Sequence, residues 1–359
     1  MALTQVSSAL LNDEAQAQGF RNRIINGEMR IAQRGTSSSA GGYGPVDRFS
    51  TSGDNLDELQ VLKTQAADGP DGFTTSLKLD VTTAESAVAT NERYFISYAI
   101  EAQDLQDLQY GTAGAKQITL SFWVKTNLTG TYSVRLYEAD GGPRVIGSTY
   151  TVDSANTWEK KVLTFAGDVD GTINNDNGTG LSISWTLMAG SDYTSTDNTT
   201  WGANATGKTA YGQTVNWGLS TSDDFYLTGV QLEVGSVATE FERRPYGAEL
   251  ALCQRYYQIT TKTGQAVMAS GRGGASGTRC HFVLPLSTAM RTTPTPPAAM
   301  TFYVYRASAV TSTGTISITV SYYDPTNSSI GCYIDATCDD DRVLCIGNNG
   351  ATVAFSAEL

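Results

Sequence analysis

Hydrophobic and polar residues alternate with a period of two along much of this chain. In residues 118–124 the apolar side chains fall on one face of an extended strand, and Thr, Ser and Trp alternate with them: Ile118, Leu120, Phe122 and Val124. Runs of this kind recur between residues 22 and 233, beginning with a predicted strand over Asn22–Gln33, and Gly, Asn and Asp turns separate them. The pattern predicts an antiparallel, jelly-roll-like β-sandwich over residues 21–245.

Two short segments carry helical signals instead. Residues 4–18 lack Gly and Pro and bring Val6 and Leu10 to one side, which predicts a short helix in an N-terminal attachment segment, residues 1–20. Strong helix formers after Gly247 predict a linking helix over residues 246–258. The strand pattern then resumes over residues 259–359. We therefore expect an all-β chain with two antiparallel β-sandwich domains and two short helices.

The charge balance narrows the possible partners and chemistry. The chain has 36 acidic and 24 basic residues, a net charge of -12, so it would repel a nucleic-acid backbone. It contains one histidine, His281, which disfavours reactions that need a histidine base or a histidine metal ligand. No repeat of the kind that builds long β-helical glycan hydrolases is present. We expect a protein that is not an enzyme and does not bind nucleic acid.

Targeting signals are also missing from the sequence. The first 20 residues have no basic region ahead of an apolar stretch, which argues against a signal peptide. No window contains 18 consecutive apolar residues, so no membrane span is predicted. The five cysteines lack the CxxC spacing of a metal site, and we interpret them as mostly buried thiols. We expect synthesis and retention in a cytoplasm.

A composite motif carries a resemblance to a known family. It consists of FRNRIINGEMRIAQRG at residues 20–35, DRF at 47–49, GVQLEVG at 229–235, FERRPYG at 241–247 and CQRYY at 253–257. In these stretches the chain resembles the tail fibre and minor tail proteins of tailed bacteriophages. The resemblance covers residues 20–257 and fades beyond them.

The resemblance implies a virion structural protein, made in the host cytoplasm, whose sandwich is like a carbohydrate-binding module. It further implies a homotrimer that docks on other virion tail or capsid proteins through its N-terminal segment and presents residues 259–359 as a variable distal tip. The expected function is host adsorption by non-covalent recognition of a surface glycan or receptor. The alternative is a decoration protein of the capsid or tail that contacts no receptor.

Aromatic residues in two regions are the candidate glycan contacts. Sugars stack their C–H faces on flat rings and exchange hydrogen bonds with amide and carboxylate groups. The Gly-rich stretch from residue 192 to residue 217 combines Tyr193, Trp201 and Tyr211 with Asn and Gln residues. In the C-terminal domain, alternation over residues 317–323 makes Tyr323 the more exposed ring of its run.

One acidic loop is a candidate site for a structural calcium ion, and no other cofactor is expected. Asp168, Asp170 and Asp176 gather carboxylate oxygens among Asn and Gly residues, as a calcium site requires. The spacing of an EF-hand loop is not met, and Asp or Asn beside Gly also suits ordinary turns.

The FERRPYG segment has a structural interpretation of its own. Arg243 and Arg244 follow the last predicted strand and stand beside Glu240 and Glu242. Charge-assisted hydrogen bonds from these arginines would clamp the exit of the chain to the sandwich. A solvated charged hinge is the alternative.

Overall fold

The chain folds into two compact units, Met1–Arg244 and Pro245–Leu359. The computed structural model describes residues 20–261, 267–273, 279–295, 300–305, 310–316, 318–326, 329–335, 343–347 and 352–359. The predicted N-terminal helix lies outside the described residues. Within them, no helix is long and apolar enough to cross a membrane.

The first unit consists of short strands with few helical turns. From residue 20 onward it contains two 3₁₀ helices, Ala102–Leu108 and Thr206–Lys208, and one α-helix, α1 (Ser191–Thr194). The strands are β1 (Ser37–Ser38), β2 (Gly42–Tyr43), β3 (Phe49–Asp54), β4 (Gln60–Ala66), β5 (Ser76–Thr83), β6 (Arg93–Glu101), β7 (Ile118–Thr126), β8 (Gly130–Glu138), β9 (Arg144–Val152), β10 (Glu159–Phe165), β11 (Thr179–Ala189), β12 (Gly202–Ala203) and β13 (Asp224–Val234).

These strands form two antiparallel sheets that pack face to face. Sheet 1 has the order β1-β4-β5-β13-β7-β10, and sheet 2 has the order β12-β9-β8-β11-β6-β3-β2. Phe122 of sheet 1 and Trp185 of sheet 2 meet between them with ring centroids 5.9 Å apart. The inward-facing residues that alternation predicted in β7 are all 1 % exposed or less. The expected all-β sandwich is therefore confirmed.

The predicted strand over Asn22–Gln33 does not form. Asn26 and Met29 have φ angles of 62° and 60°, which break an extended run. The Asn26 side chain holds the resulting turn, because its oxygen accepts from the Ile31 amide and its nitrogen donates to the Ile31 carbonyl. Alternation alone could not reveal this turn, since its apolar residues are buried in the same way as those of a strand.

The two arginines of the FERRPYG segment clamp this N-terminal segment, as the sequence predicted. Arg244 is buried and donates to the backbone carbonyls of Asn22 and Ile24. Arg243 pairs with Glu28. Because charge-assisted bonds to buried carbonyls leave few polar atoms unpaired, they fix the chain where it enters and leaves the first unit.

The second unit begins with a helix that is shorter than predicted. Helix α2 covers Tyr246–Gln254, and the chain is already extended in β14 (Tyr257–Thr261), which pairs with the last strand. The remaining strands are β15 (Val267–Gly273), β16 (Arg279–Pro285), β17 (Met300–Tyr305), β18 (Val310–Ile316), β19 (Ile318–Asp324), β20 (Ser329–Asp335), β21 (Val343–Gly347) and β22 (Thr352–Ser356). Strand pairing with β22 ends the helix before residue 258.

The described strands of this unit form two antiparallel sheets. One has the order β18-β17-β21-β15-β16-β20-β19, and the other consists of β14 and β22. Of the cysteines, Cys253 and Cys332 are buried.

Candidate functional site

A row of serines crosses the outer face of sheet 2. Ser50 of β3 pairs with Ser97 of β6, Ser97 pairs with Ser184 of β11, and Ser184 pairs with Arg135 of β8. These residues alternate with core residues such as Ile96 and Trp185, so they point to the other side of the sheet. We call Ser50, Ser97 and Ser184 the serine row, and the outer surface of sheet 2 the serine face.

Aromatic rings flank the serine row on both sides. Phe95 precedes Ser97 by two residues in β6, and Tyr137 follows Arg135 by two residues in β8, so both share the outer face. Both rings are only partly buried. The small side chains therefore form a polar floor across several strands, and the two rings lie along its opposite sides.

A tightly bonded cluster closes the Phe95 side of the floor. The Arg93 guanidinium lies 4.5 Å from the Phe95 ring centroid and 5.0 Å from that of Tyr193, and it bonds the Asp54 carboxylate. The Tyr193 hydroxyl lies 3.3 Å from Asp54 Oδ2 and 3.1 Å from the Asn91 carbonyl oxygen. These contacts fix the orientation of the rings.

Arg135 lies at the β8 end of the serine row and, unlike Arg93, forms no ion pair among the described residues. Its Nη1 is 3.4 Å from Thr209 Oγ1, and its guanidinium lies 5.5 Å from the Tyr137 ring centroid. Burial lowers the pKa of Arg135 to about 10, and the positive charge of Arg93 lowers it further in the same direction. The structure thus places a poorly solvated cation beside the hydroxyl row.

The segment 192–217 borders the serine face on the side of β8 and β9. The Asn198 carbonyl accepts from the Gly147 amide at 2.7 Å, and Gln213 Oε1 accepts from Ser133 Oγ at 3.1 Å. Thr209 contacts Arg135 from the same segment. The loop that the sequence singled out therefore forms a wall of this face.

The predicted ring residues do not act together. Tyr193 is 7 % exposed and belongs to the Arg93 cluster. Trp201 packs its ring on Tyr110 at 5.8 Å and donates to the Ala166 carbonyl, while Tyr211 is 39 % exposed and has no ring partner among the described residues. Tyr323 lies in β19, but its side chain is outside the described residues.

The predicted calcium ligands are engaged elsewhere. Both oxygens of the buried Asp168 accept from Arg144, at 2.5 and 2.9 Å. Asp176 Oδ1 accepts from the Gly178 amide in a local turn, and the Asp170 side chain is 75 % exposed. In the described part of the chain no group of three His, Cys, Asp or Glu residues is arranged to hold a metal. Turn geometry and the Arg144 ion pair account for the residues that suggested calcium.

A second carboxyl lies beside Asp168 in the interior. Glu138 is fully buried, and its Oε1 accepts from the Thr172 amide. Desolvation raises the pKa of Glu138 to about 7, the Thr172 amide opposes that shift, and the neighbouring Asp168 reinforces it. A Cβ at Gly171 would come within 2.4 Å of this carboxyl, so the pair is closed off by backbone.

The opposite face of the sandwich also carries aromatic rings, but its polar groups satisfy one another. Trp158 and Tyr226 on sheet 1 meet at 5.9 Å, and the Lys125 amine lies 4.1 Å from the Tyr226 ring centroid. Asp68 accepts hydrogen bonds from both Lys125 and Trp158 Nε1. Because these polar groups bond one another, we interpret them as a packing cluster. The serine face differs in that Arg135 has no carboxylate partner among the described residues.

Sequence reasoning missed the serine face, although part of its signal was visible. Alternation over residues 131–137 already separates Arg135 and Tyr137 from the core residues Val134 and Leu136. The missing information was which strands are neighbours, because β3, β6, β11 and β8 are far apart in sequence. Only the register brings the three serines into one row.

The fold and this face define an antiparallel β-sandwich with a polar, ring-flanked outer surface. No protein-family model and no curated protein matches the chain. Among solved structures, the enzymatically active domain of tailspike protein 4 from bacteriophage CBA120 is 14 % identical with a TM-score of 0.34, and the match covers 60 % of this chain and 22 % of that one.

Two carbohydrate-binding modules are similar to the same extent. The family 11 module of a cellulosomal cellulase from Clostridium thermocellum is 12 % identical with a TM-score of 0.30, covering 56 % of this chain and 96 % of that one. A xylan-binding domain from family 22 is 12 % identical with a TM-score of 0.29, covering 56 % and 99 %. Similarities at this level carry no argument about function, which must come from the site itself.

Proposed function

We propose that this chain binds a glycan without cleaving it, and that the serine face is the binding surface. The observation that carries the proposal is the serine row between Phe95 and Tyr137. Rings on two sides suit the C–H faces of sugar units, and the partly exposed hydroxyls of Ser50 and Ser97 can both donate to and accept from a sugar hydroxyl, whereas Ser184 is buried between them and Arg135. A row across several strands suits an extended chain of sugar units better than a small compact ligand.

Binding fits the arrangement better than hydrolysis does. Glycoside hydrolysis needs two carboxyl groups that flank the bond to be cleaved. The adjacent carboxyls Glu138 and Asp168 are both buried, at 0 % and 1 % exposure, so they cannot flank a sugar. On the serine face, the Asp54 carboxylate is bonded to Arg93. These facts support recognition as the activity of the first unit.

The wider role that we propose is host adsorption as part of a phage tail fibre. The motifs that resemble tail fibre and minor tail proteins support it, and so does a surface suited to glycans. In the proposed homotrimer each weak site would be repeated around the axis, and avidity would compensate for modest affinity. Pre-incubating host cells with the purified chain should then block adsorption of the phage, whereas unaltered adsorption would favour the decoration role.

The binding proposal is tested with a panel of neutral and acidic bacterial polysaccharides immobilised on a sensor surface. The full chain should bind at least one of them, and Phe95→Ala and Tyr137→Ala should each weaken that binding by roughly tenfold, since contact with one ring is worth on the order of 1–2 kcal/mol. Far-UV circular dichroism and the Tm of each variant establish that it is folded.

Two substitutions elsewhere serve as matched controls. Tyr211→Ala removes an exposed ring outside the serine face, and Tyr226→Ala removes a ring from the opposite sheet. Both should bind like the unmodified chain. If Phe95→Ala and Tyr137→Ala bind like the controls, or if no member of the panel binds the unmodified chain, the proposal is wrong.

A further inference from the structure

We infer that Arg135 receives the carboxylate of an acidic sugar, such as a uronic acid, within the glycan on the serine face. The inference rests on the proposed glycan-binding function and names the chemical class of the ligand. The evidence for it is that Arg135 lacks, within the part of the chain that the structure describes, the ionic or carbonyl partner that the other arginines of the first unit have.

Arg135 stands apart among the arginines of the first unit. Every other arginine between residues 20 and 244 bonds a carboxylate or a backbone carbonyl. Within the described residues, Arg135 has instead one long hydrogen bond, to the Thr209 hydroxyl, and a ring contact with Tyr137. Its buried Nε has no hydrogen-bond partner there, and it forms no ion pair. In a chain with a net charge of -12, a cation without a carboxylate is unexpected.

Among the described residues, the carboxylate whose charge acts on Arg135 is that of Asp54, and Arg135 forms no ion pair with it. The Asp54 carboxylate is bonded to Arg93, and Arg93 itself is a second positive charge close enough to act on Arg135. Removing a cation from water without pairing it is costly, and a carboxylate supplied by a ligand would offset that cost. Part of the Arg135 surface is open to solvent, which leaves a path for an anion.

The register of the sheet specifies how such a ligand would lie. Arg135 pairs with Ser184, and Ser184 pairs with Ser97, so a carboxylate held by the guanidinium places its sugar ring at the end of the serine row. Tyr137, two residues along β8, is then beside that ring. The planar guanidinium can bond both oxygens of a carboxylate, a geometry that a lysine amine does not reproduce.

The test compares each acidic polysaccharide with its own neutral form. Polygalacturonate and alginate are used as the probes, and carbodiimide-mediated reduction converts each carboxylate into a primary alcohol while the backbone is retained. The unmodified full chain should bind at least one acidic polymer at least tenfold more tightly than its reduced form, the effect of one charged hydrogen-bonded pair. A sulfated polymer is included to separate carboxylate recognition from general attraction to anions.

The variant Arg135→Gln should lose that preference. Its affinity for the acidic polymer should fall by about tenfold or more, while its affinity for the reduced polymer stays the same. Arg135→Lys should recover only part of the loss, because it keeps the charge and not the planar fork. Arg30→Gln, which removes an exposed arginine paired with Glu28, is the matched control and should bind normally.

The Tm of the protein without ligand provides a second, independent test. Because the unpaired cation costs folding free energy, Arg135→Gln should have a Tm equal to or above that of the unmodified chain, and added acidic polymer should raise only the Tm of the unmodified chain. A lower Tm for Arg135→Gln without ligand would show a structural role and overturn the inference.

The outcomes also separate this inference from the proposed function. If ring substitutions weaken binding but acidic and reduced polymers bind equally, or if Arg135→Gln weakens both equally, the face binds glycans and the assignment of Arg135 is wrong. Equal preference for the sulfated polymer would likewise contradict carboxylate recognition. If no polymer binds at all, both the function and the inference are wrong.

Discussion

The substitution Glu138→Gln tests how the interior of the first unit responds to pH. Glu138 is fully buried next to Asp168, and its raised pKa of about 7 reflects desolvation first and the neighbouring carboxyl second. Glutamine has nearly the same shape, its oxygen can accept from the Thr172 amide, and its amide group can donate to Asp168 as the protonated acid does. The change therefore removes the titration and keeps the packing.

The magnitude follows from the shift between the unfolded and folded states. An ordinary glutamate titrates near 4.5 and Glu138 near 7, so between these values the folded chain holds a proton that the unfolded chain has released. Stability from this group is complete below pH 4.5 and is lost as the pH rises through 7. A shift of this size is worth about 3 kcal/mol at most, since one pKa unit corresponds to about 1.4 kcal/mol.

Urea unfolding at pH 4, 6 and 8 measures the effect as a difference between the two chains. Glu138→Gln and the unmodified chain should be nearly equal at pH 4, and the variant should be more stable by up to about 3 kcal/mol at pH 8. Glu58→Gln, at an exposed position, should show no such trend. A difference that does not change between pH 4 and pH 8, or a variant that is less stable at pH 8, would refute the reasoning.

Three further substitutions test the packing of the first unit. Gly27→Ala would place a Cβ 2.2 Å from the Val230 carbonyl oxygen, so we expect a loss of roughly 1–3 kcal/mol in urea unfolding, whereas a neutral change would show that the two segments separate freely. Trp185→Ala empties the fully buried centre of the sandwich and should cost about 3–5 kcal/mol by the same measurement. Arg244→Ala removes the donor to two backbone carbonyls and should lower the free energy of unfolding by roughly 1–3 kcal/mol. Arg243→Ala, at a half-exposed position, should lower it by less, and an equal loss for the two variants would contradict the clamp.

The buried face of a strand could be predicted from the sequence where the residues on its two faces differ in polarity. Alternation identified the buried side of β7 correctly, because Leu120 and Phe122 are separated by polar Ser121. The same rule failed over Asn22–Gln33, where a side-chain amide at Asn26 replaces strand pairing. A local pattern reports burial and does not report which backbone groups are bonded.

The candidate site was less accessible to prediction. Composition drew attention to Tyr193, yet that ring is buried, since its role depends on Arg93 and Asp54 in other strands. Asp168 suggested a calcium ligand because the ion pair that engages it is not visible in the local sequence. Its partner, Arg144, lies 24 residues earlier. Both cases have one cause: the role of a charged or aromatic side chain depends on the residues that it contacts, and these residues are distant in sequence.

A crystal structure of the full chain with the polysaccharide that binds it most tightly would show directly whether the serine face holds the glycan. We expect sugar units against Phe95 and Tyr137, with sugar hydroxyls within hydrogen-bond distance of the partly exposed Ser50 and Ser97. A glycan held by sheet 1 or by the second unit, with the serine face bare, would contradict it.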